Sequence, residues 1–338
     1  RLSVLAKASH KITKAVELEA GISFANSNPK QGGSTNFGEY FVDGTWDRMY
    51  DSRYWRTRYK GAHGGLAQSE YGDEYGNAPG RSIWWSVYEE QHTQKETSVR
   101  PSLKLTADIT SWLKFVAEGN YNYYYKRRED KVLGSGYANE GGSYGMSRYT
   151  KEQTNLNANL SWNKALGDFN LSGFLRGEYY RNFEQAMSMS TRDGLIVPGQ
   201  YFINNSKNTP SYSGVIQGEK TIMSIAGQVA LSWKDQIFVD VTGRNDWSSS
   251  LVYADKHGNY SYFYPSVSGS WLIHETFGER MPSFISFAKL RASWAQVGND
   301  TDPYLINTAY ELNSATTNQG NTYYLTIPSK TYDQNLKP

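Results

Sequence analysis

Cysteine is absent from the 338 residues, which excludes a disulfide scaffold, thiol nucleophiles and cysteinyl metal sites. Also missing is any window of about 18 apolar residues, so no bilayer-spanning helix is encoded. The first residues, "RLSVLAKASHK", hold neither an apolar signal core nor a cleavage site, and they enter mid-pattern as a piece of a longer chain would. Excess charge is lacking too. Thirty-five Lys and Arg against 33 Asp and Glu leave +2, which gives no general attraction to nucleic acid. Aliphatic residues are thin and the mean hydropathy is −0.67. Two classes survive: a soluble protein, or a membrane protein that spans by strands.

What the chain has instead is rings. Aromatics reach 15%, with 27 Tyr and 10 Trp, side chains suited to sitting half in and half out of water. It also has alternation. Leu18, Ala20, Ile22 and Phe24 oppose Glu17, Glu19, Gly21 and Ser23, while Leu103, Leu105 and Ala107 oppose Ser102, Lys104, Thr106 and Asp108. Leu156, Ala158, Leu160 and Trp162 oppose Asn155, Asn157, Asn159 and Ser161. Further period-two runs are Ile225 to Trp233, Ile237 to Val241 and Ala288 to Trp294. This pattern predicts β-strands throughout.

Soluble sandwiches alternate as well, so connection lengths carry more weight. Tight turns are expected at 10–14, 110–111, 164–168 and 234–236, separated by long Gly- and Tyr-rich segments. Short and long connections taking turns is the habit of transmembrane β-barrels. On that reading Trp112, Trp162, Trp233 and Trp271 fall near one rim, with Trp247 and Trp294 near the other, as interfacial tryptophans do. The run "FVDVTGRNDWSSSL" then makes sense: Val239 and Val241 face lipid, Asp240 and Thr242 face a lumen, and Arg244 and Asp246 lie beyond the hydrocarbon.

"VTGRNDWSSSL", "YFYPSVSGSWLIHETF" and "ISFAKLRASWAQVGND" resemble the barrel of the SusC/RagA family of TonB-dependent outer-membrane transporters. Weaker likeness comes from "DSRYW" at 51–55, "GLIVPGQYFINNS" at 194–206 and the terminal "NLKP". The resemblance implies an all-β fold: a transmembrane antiparallel β-barrel, of which residues 1–338 supply about 10–11 strands out of about 22, with the plug domain absent. Long extracellular loops are expected near 27–94, 128–149, 188–218, 248–259 and 298–330. It further implies import of oligosaccharides or oligopeptides across the bacterial outer membrane. A SusD-like lipoprotein lid, the TonB–ExbB–ExbD complex acting through the missing plug, lipopolysaccharide and other outer-membrane lipid, and a dimer of transporter–lid pairs are the implied partners. No enzyme activity, cofactor, metal or nucleic acid is expected. The alternative of another class is a secreted all-β carbohydrate-binding protein.

For substrate binding, the segment from Ser27 to Gln94 offers Trp46, Tyr54, Trp55, Trp84 and Trp85, flat rings that could stack on sugars or peptide side chains. Packing the long loop against itself is the competing role for them. "GGSYG" at 141–145 matches the G-x-S-x-G nucleophile elbow in letters only, since it lies in an expected loop between strands. The five histidines show no ligand spacing. "GNDTDPY" at 298–304 has oxygens but not the spacing of a calcium loop. In "YYYKRRED", Lys126, Arg127 and Arg128 are expected to meet lipopolysaccharide phosphates or to be solvated.

Overall fold

The computed structural model describes residues 1–32, 52–67, 79–282, 284–307, 310–317, 320–328 and 336. Strands dominate it: β1 Leu2–Lys11, β2 Val16–Ser27, β3 Lys30–Gly32, β4 Glu90–Asp108, β5 Leu113–Val132, β6 Ser143–Leu166, β7 Phe169–Leu195, β8 Ser206–Trp233, β9 Ile237–Ser248, β10 Ser261–Leu272 and β11 Lys289–Ala295. Among the described residues these form one eleven-stranded sheet, in the order β1-β2-β4-β5-β6-β7-β8-β9-β10-β11, with the short β3 also paired to β4. Neighbours along this path pair antiparallel. The strand expected after Tyr304 is not part of this sheet: β12 Glu311–Thr317 and β13 Gly320–Thr326 make a separate hairpin. Among the described residues three short helices, α1 Ser52–Arg56, α2 Pro79–Glu89 and α3 Ile273–Phe277, sit in the connections.

The expected tight turns are present. Between β1 and β2 the Thr13 hydroxyl accepts from the amides of Ala15 and Val16, each at 3.1 Å. Gly167, at φ 62, allows the reversal between β6 and β7, a backbone region that suits glycine. Lys234 and Asp235 take φ 49 and 54 to close the turn from β8 to β9. The connection from β10 to β11 on the same side breaks the pattern, because α3 and a 3-10 turn occupy it.

Register converts the alternation into two continuous faces. On one face Leu18 opposes Leu105, Phe115 opposes Leu160, Leu160 opposes Leu175, Leu171 opposes Leu231, Leu231 opposes Val239 and Val241 opposes Val267. This apolar belt is not a core. Leu103, Leu156, Leu175, Ile225 and Val241 are each about half exposed, between 50% and 53%. The whole molecule exposes 22380 Å², whereas a soluble monomer of its 38.3 kDa exposes about 14,000 Å². Among the described residues the buried apolar side chains are Ala67, Trp85, Tyr144, Leu195, Leu251 and Ile306, all in the long connections or at the strand ends beside them. An apolar surface of this extent is far beyond what water tolerates, and it suits hydrocarbon, into which closed β-walls turn such a face.

The tryptophan positions fit that wall with one exception. Trp162, Trp233 and Trp271 stand at the tight-turn ends of their strands, Trp112 lies in a tight turn, and Trp247 is near the opposite end of β9. Trp294 pairs with Val267, level in register with Val241, so it belongs to the belt and not to an outer ring. Three expected loops are also shorter than foreseen: β4 begins at Glu90, inside the expected 27–94. Residues 128–132 and 143–149, and then 188–195 and 206–218, are strand, because these hairpins keep pairing above the apolar belt, where both faces are polar and alternation no longer marks a strand.

Candidate solute-facing site

The face opposite the belt is built from the partners of the apolar residues. Lys104 opposes Glu118, Glu118 opposes Asn157, Asn157 opposes Glu178, and Asn159 opposes Arg176. A cavity of about 620 Å³ is lined by residues from six consecutive strands, from Lys104 on β4 to Asp240 on β9. Six flat strands would spread over some 24 Å, so a shared cavity requires this polar face to be the inside of the curl. A second cavity of about 490 Å³ shares Glu118, Asn157 and Arg176 with the first and extends to Glu178, Ser224 and Arg244.

Arg244 organises the charged part. Its Nη1 donates to Glu178 Oε2 at 2.8 Å, its Nε to Asp246 Oδ1 at 2.7 Å and its Nη2 to Ser224 Oγ at 2.9 Å. Arg176 Nη2 lies 2.7 Å from the other Glu178 oxygen. A guanidinium can satisfy several acceptors at once because its donors are splayed in a plane. Beside this cluster runs a stripe of carboxamides. Asn155 donates to Asn120 at 3.1 Å, Asn122 donates to Gln153 at 3.2 Å, and Gln153 donates to the Tyr180 hydroxyl at 3.2 Å. Together these groups offer donors and acceptors of both charges.

The aromatic residues singled out in the sequence separate into different roles. Trp46 lies outside the described residues, as does the side chain of Trp55, whose backbone is in α1. Pro79 opens α2, where its missing amide proton costs nothing. On the next turns Trp84 stacks on Tyr88 with ring centroids 5.6 Å apart, and Arg56 lies over the Trp84 ring at 5.3 Å while donating to the Tyr88 hydroxyl at 2.7 Å. Trp85 is 3% exposed and meets Tyr59 edge-on at 6.2 Å, so its ring is the centre of a small loop core. Tyr59 donates to Glu89 at 2.8 Å, and Lys60 pairs with the same carboxylate at 2.6 Å. Burial first, then the Glu89 hydrogen bond and charge, hold the Tyr59 hydroxyl far above the usual phenol range. Tyr54 is 48% exposed and carries the Arg58 guanidinium over its ring at 4.0 Å. Tyr54 and Trp84 therefore keep surface that a ligand could meet.

Other sequence features resolve in simple ways. Ser143 of "GGSYG" begins β6 and pairs with Val132; no helix follows it, as an elbow requires. Among the described residues no cluster of three or more His, Asp or Glu could hold a metal. In "GNDTDPY", Asp300 accepts from Lys220 Nζ at 2.8 Å, from Ser248 Oγ at 2.6 Å and from Ser250 Oγ at 3.2 Å, so its oxygens pin this segment to β8 and β9. Strand alternation divides the basic cluster: Lys126 and Arg128 share the polar inner face with Glu118, and Arg127 points with Tyr123 and Tyr125 to the other side. Sequence reasoning missed Arg176, Glu178, Ser224 and Arg244 as a unit. The signal available was their parity, but not the fact that one arginine would reach across β8 to β7.

No family model matches the chain. In sequence it is 28% identical over 184 residues to a TonB-dependent receptor, P26, of Formosa agariphila, an alignment that takes in half of this chain and 17% of that one. In fold it is similar to the RagAB peptide transporter, with a TM-score of 0.70 over 96% of this chain at 16% identity. The RagAB peptide importer in its 'closed-closed' state gives 0.69 over 98% at 17% identity. The chain spans about a third of the length of those transporter chains, 35% and 36%. The resemblance to SusC/RagA-like TonB-dependent transporters is thus borne out, by the receptor in sequence and by the RagAB structures in fold. So is the antiparallel barrel wall.

Proposed function

We propose that this chain is part of the wall of a TonB-dependent nutrient importer in the bacterial outer membrane. The observation that carries the reading is that one set of strands bears a half-exposed apolar belt on one face and the Arg244–Glu178–Arg176 cluster with its carboxamide stripe on the other. A wall greased outside and wet inside is what a transmembrane passage needs. A secreted carbohydrate-binding sandwich would bury the belt between sheets, and nothing among the described residues covers it.

The cargo would be an oligopeptide or oligosaccharide. Peptide import is the activity named for RagAB, and the mixed-charge inner face suits a solute with donors and acceptors of both signs. In the whole transporter a SusD-like lipoprotein would close the mouth, and the TonB–ExbB–ExbD complex would power release. The exposed Tyr54 and the half-buried Trp84, on the long segment between β2 and β4, would meet the cargo as it arrives, with Trp46 and Trp55 as further rings on the same segment.

The test is uptake by cells carrying the full transporter. Labelled peptide pools and glycan pools are offered with and without a protonophore. Protonophore-sensitive uptake of one pool, lost on deletion of the transporter, is expected. Release of the protein into buffer without detergent would sink the membrane reading, and membrane-bound protein that takes up neither pool would sink the choice of cargo.

A further inference from the structure

We infer that Lys95, Arg127 and Arg148 form a docking row for the phosphate groups of an outer-leaflet glycolipid. Register carries the inference. Lys95 on β4 directly opposes Arg127 on β5, and Arg127 directly opposes Arg148 on β6. All three share the parity of the apolar belt: Lys95 stands four residues along from Val99, Arg127 four from Tyr123, and Arg148 eight from Leu156. Three cations therefore stand side by side, facing outward, at the spacing of neighbouring strands, about 5 Å.

Like charges directly opposed on a sheet repel, and the protein neutralises only part of this row. Arg127 pairs with Glu129 at 2.7 Å, and Glu129 also accepts from the Tyr144 hydroxyl. Among the described residues Lys95 and Arg148 have no ion-pair partner, and both are exposed. The next outward cation along the wall, Arg181, is answered by Glu219 at 2.6 Å. The surplus at the row calls for an external anion.

Height decides which anion. Along β5 the outward residues run Leu113, Phe115, Ala117 and Gly119, then Tyr121, Tyr123 and Tyr125, then Arg127. Fourteen residues at about 3.3 Å, tilted about 40°, rise roughly 35 Å. The hydrocarbon band is about 25 Å tall, so Arg127 stands some 10 Å above it, at headgroup level and just beyond a tyrosine stripe of the kind that marks the interface. A lipid phosphate is the anion found at that depth. Lys126 and Arg128, which face inward, take no part.

The inference rests on the membrane reading above, and its test separates the two. The full transporter, purified in a neutral detergent, is titrated with lipopolysaccharide, with the same glycolipid after phosphatase treatment, and with inorganic phosphate. Intact glycolipid should bind and the dephosphorylated form should bind far more weakly. The Lys95→Gln/Arg127→Gln/Arg148→Gln variant should lose about a hundred-fold in affinity, at roughly five-fold per cation. Lys126→Gln/Arg128→Gln, also short of two charges, should bind as the parent does. If the triple variant does not fold to a heat-modifiable barrel, Arg148→Gln alone carries the test, with a roughly five-fold loss expected. Unchanged binding by the outward variants, an equal loss in the inward one, or full competition by inorganic phosphate would each overturn the row. A parent protein that needs no detergent would overturn the membrane reading instead.

Discussion

Arg244 on β9 reaches across β8 and sets its Nη1 2.8 Å from Glu178 Oε2 on β7. The contact ties strands that are not neighbours, on the polar side of the wall. Arg244→Gln and Glu178→Gln should each weaken cargo uptake, and the double variant should lose less than the sum of the two. A coupling of about 1–2 kcal/mol is expected in a double-mutant cycle on thermal unfolding of the full transporter. Strictly additive effects would mean that the pair does not act as a unit.

The two faces of one strand should answer differently to the same change. Val239→Arg places a cation in the apolar belt and should cost about 2–4 kcal/mol of folding into a bilayer. Asp240→Arg, one residue along, faces the cavity and should cost much less. Equal costs, measured by denaturant titration in lipid vesicles, would contradict the assignment of faces.

Two glycines of β7 make a matched pair. A side chain at Gly173 would meet the Gln228 carbonyl at 2.2 Å and the Trp162 ring at 2.7 Å, whereas Gly177 has open space around its missing Cβ. Gly173→Ala should therefore lower the melting temperature of the transporter clearly, by about 1–3 kcal/mol equivalent, and Gly177→Ala should leave it within about 0.5 kcal/mol.

On the long loop, Trp85→Ala removes the buried centre of the small core and should cost about 3–5 kcal/mol locally, read as faster proteolysis between α1 and α2. Trp84→Ala leaves that core in place and should lower cargo affinity without faster cutting. Unchanged affinity in both Trp84→Ala and Tyr54→Ala would remove these rings from the binding surface.

Asp300 holds the segment after β11 against β8 and β9 through Lys220, Ser248 and Ser250. Asp300→Ala leaves the 19%-exposed Lys220 ammonium without its carboxylate, and a cost of about 3 kcal/mol is expected. Thermal unfolding of the variant checks this, and added calcium should not restore what is lost.

Much of this architecture was legible because hydrocarbon imposes a strict period. Leu156, Ala158, Leu160 and Trp162 could face only one way, and the register confirms the side they take. Above the belt that constraint lapses. Tyr123 to Val132 pairs with Ser143 to Glu152 in full register, yet both faces there are polar, so the hairpin reads as a loop. The basic cluster shows the complementary failure. "KRR" looks like one patch in the sequence, and pleating sends its middle member to the opposite side from its neighbours. The Arg244 cluster was hidden for another reason: parity tells which residues share a face, but not which side chain is long enough to skip a strand.

The stripe formed by Asn120, Asn122, Gln153 and Asn155 has an effect on anything that touches it. Each carboxamide can give or take a proton bridge by turning its head, so a molecule passing through the proposed importer would trade one partner for the next without going bare and without being held fast. In the importer proposed above such a surface would act as a low-friction track, indifferent to the sign of its passenger and sensitive mainly to its girth.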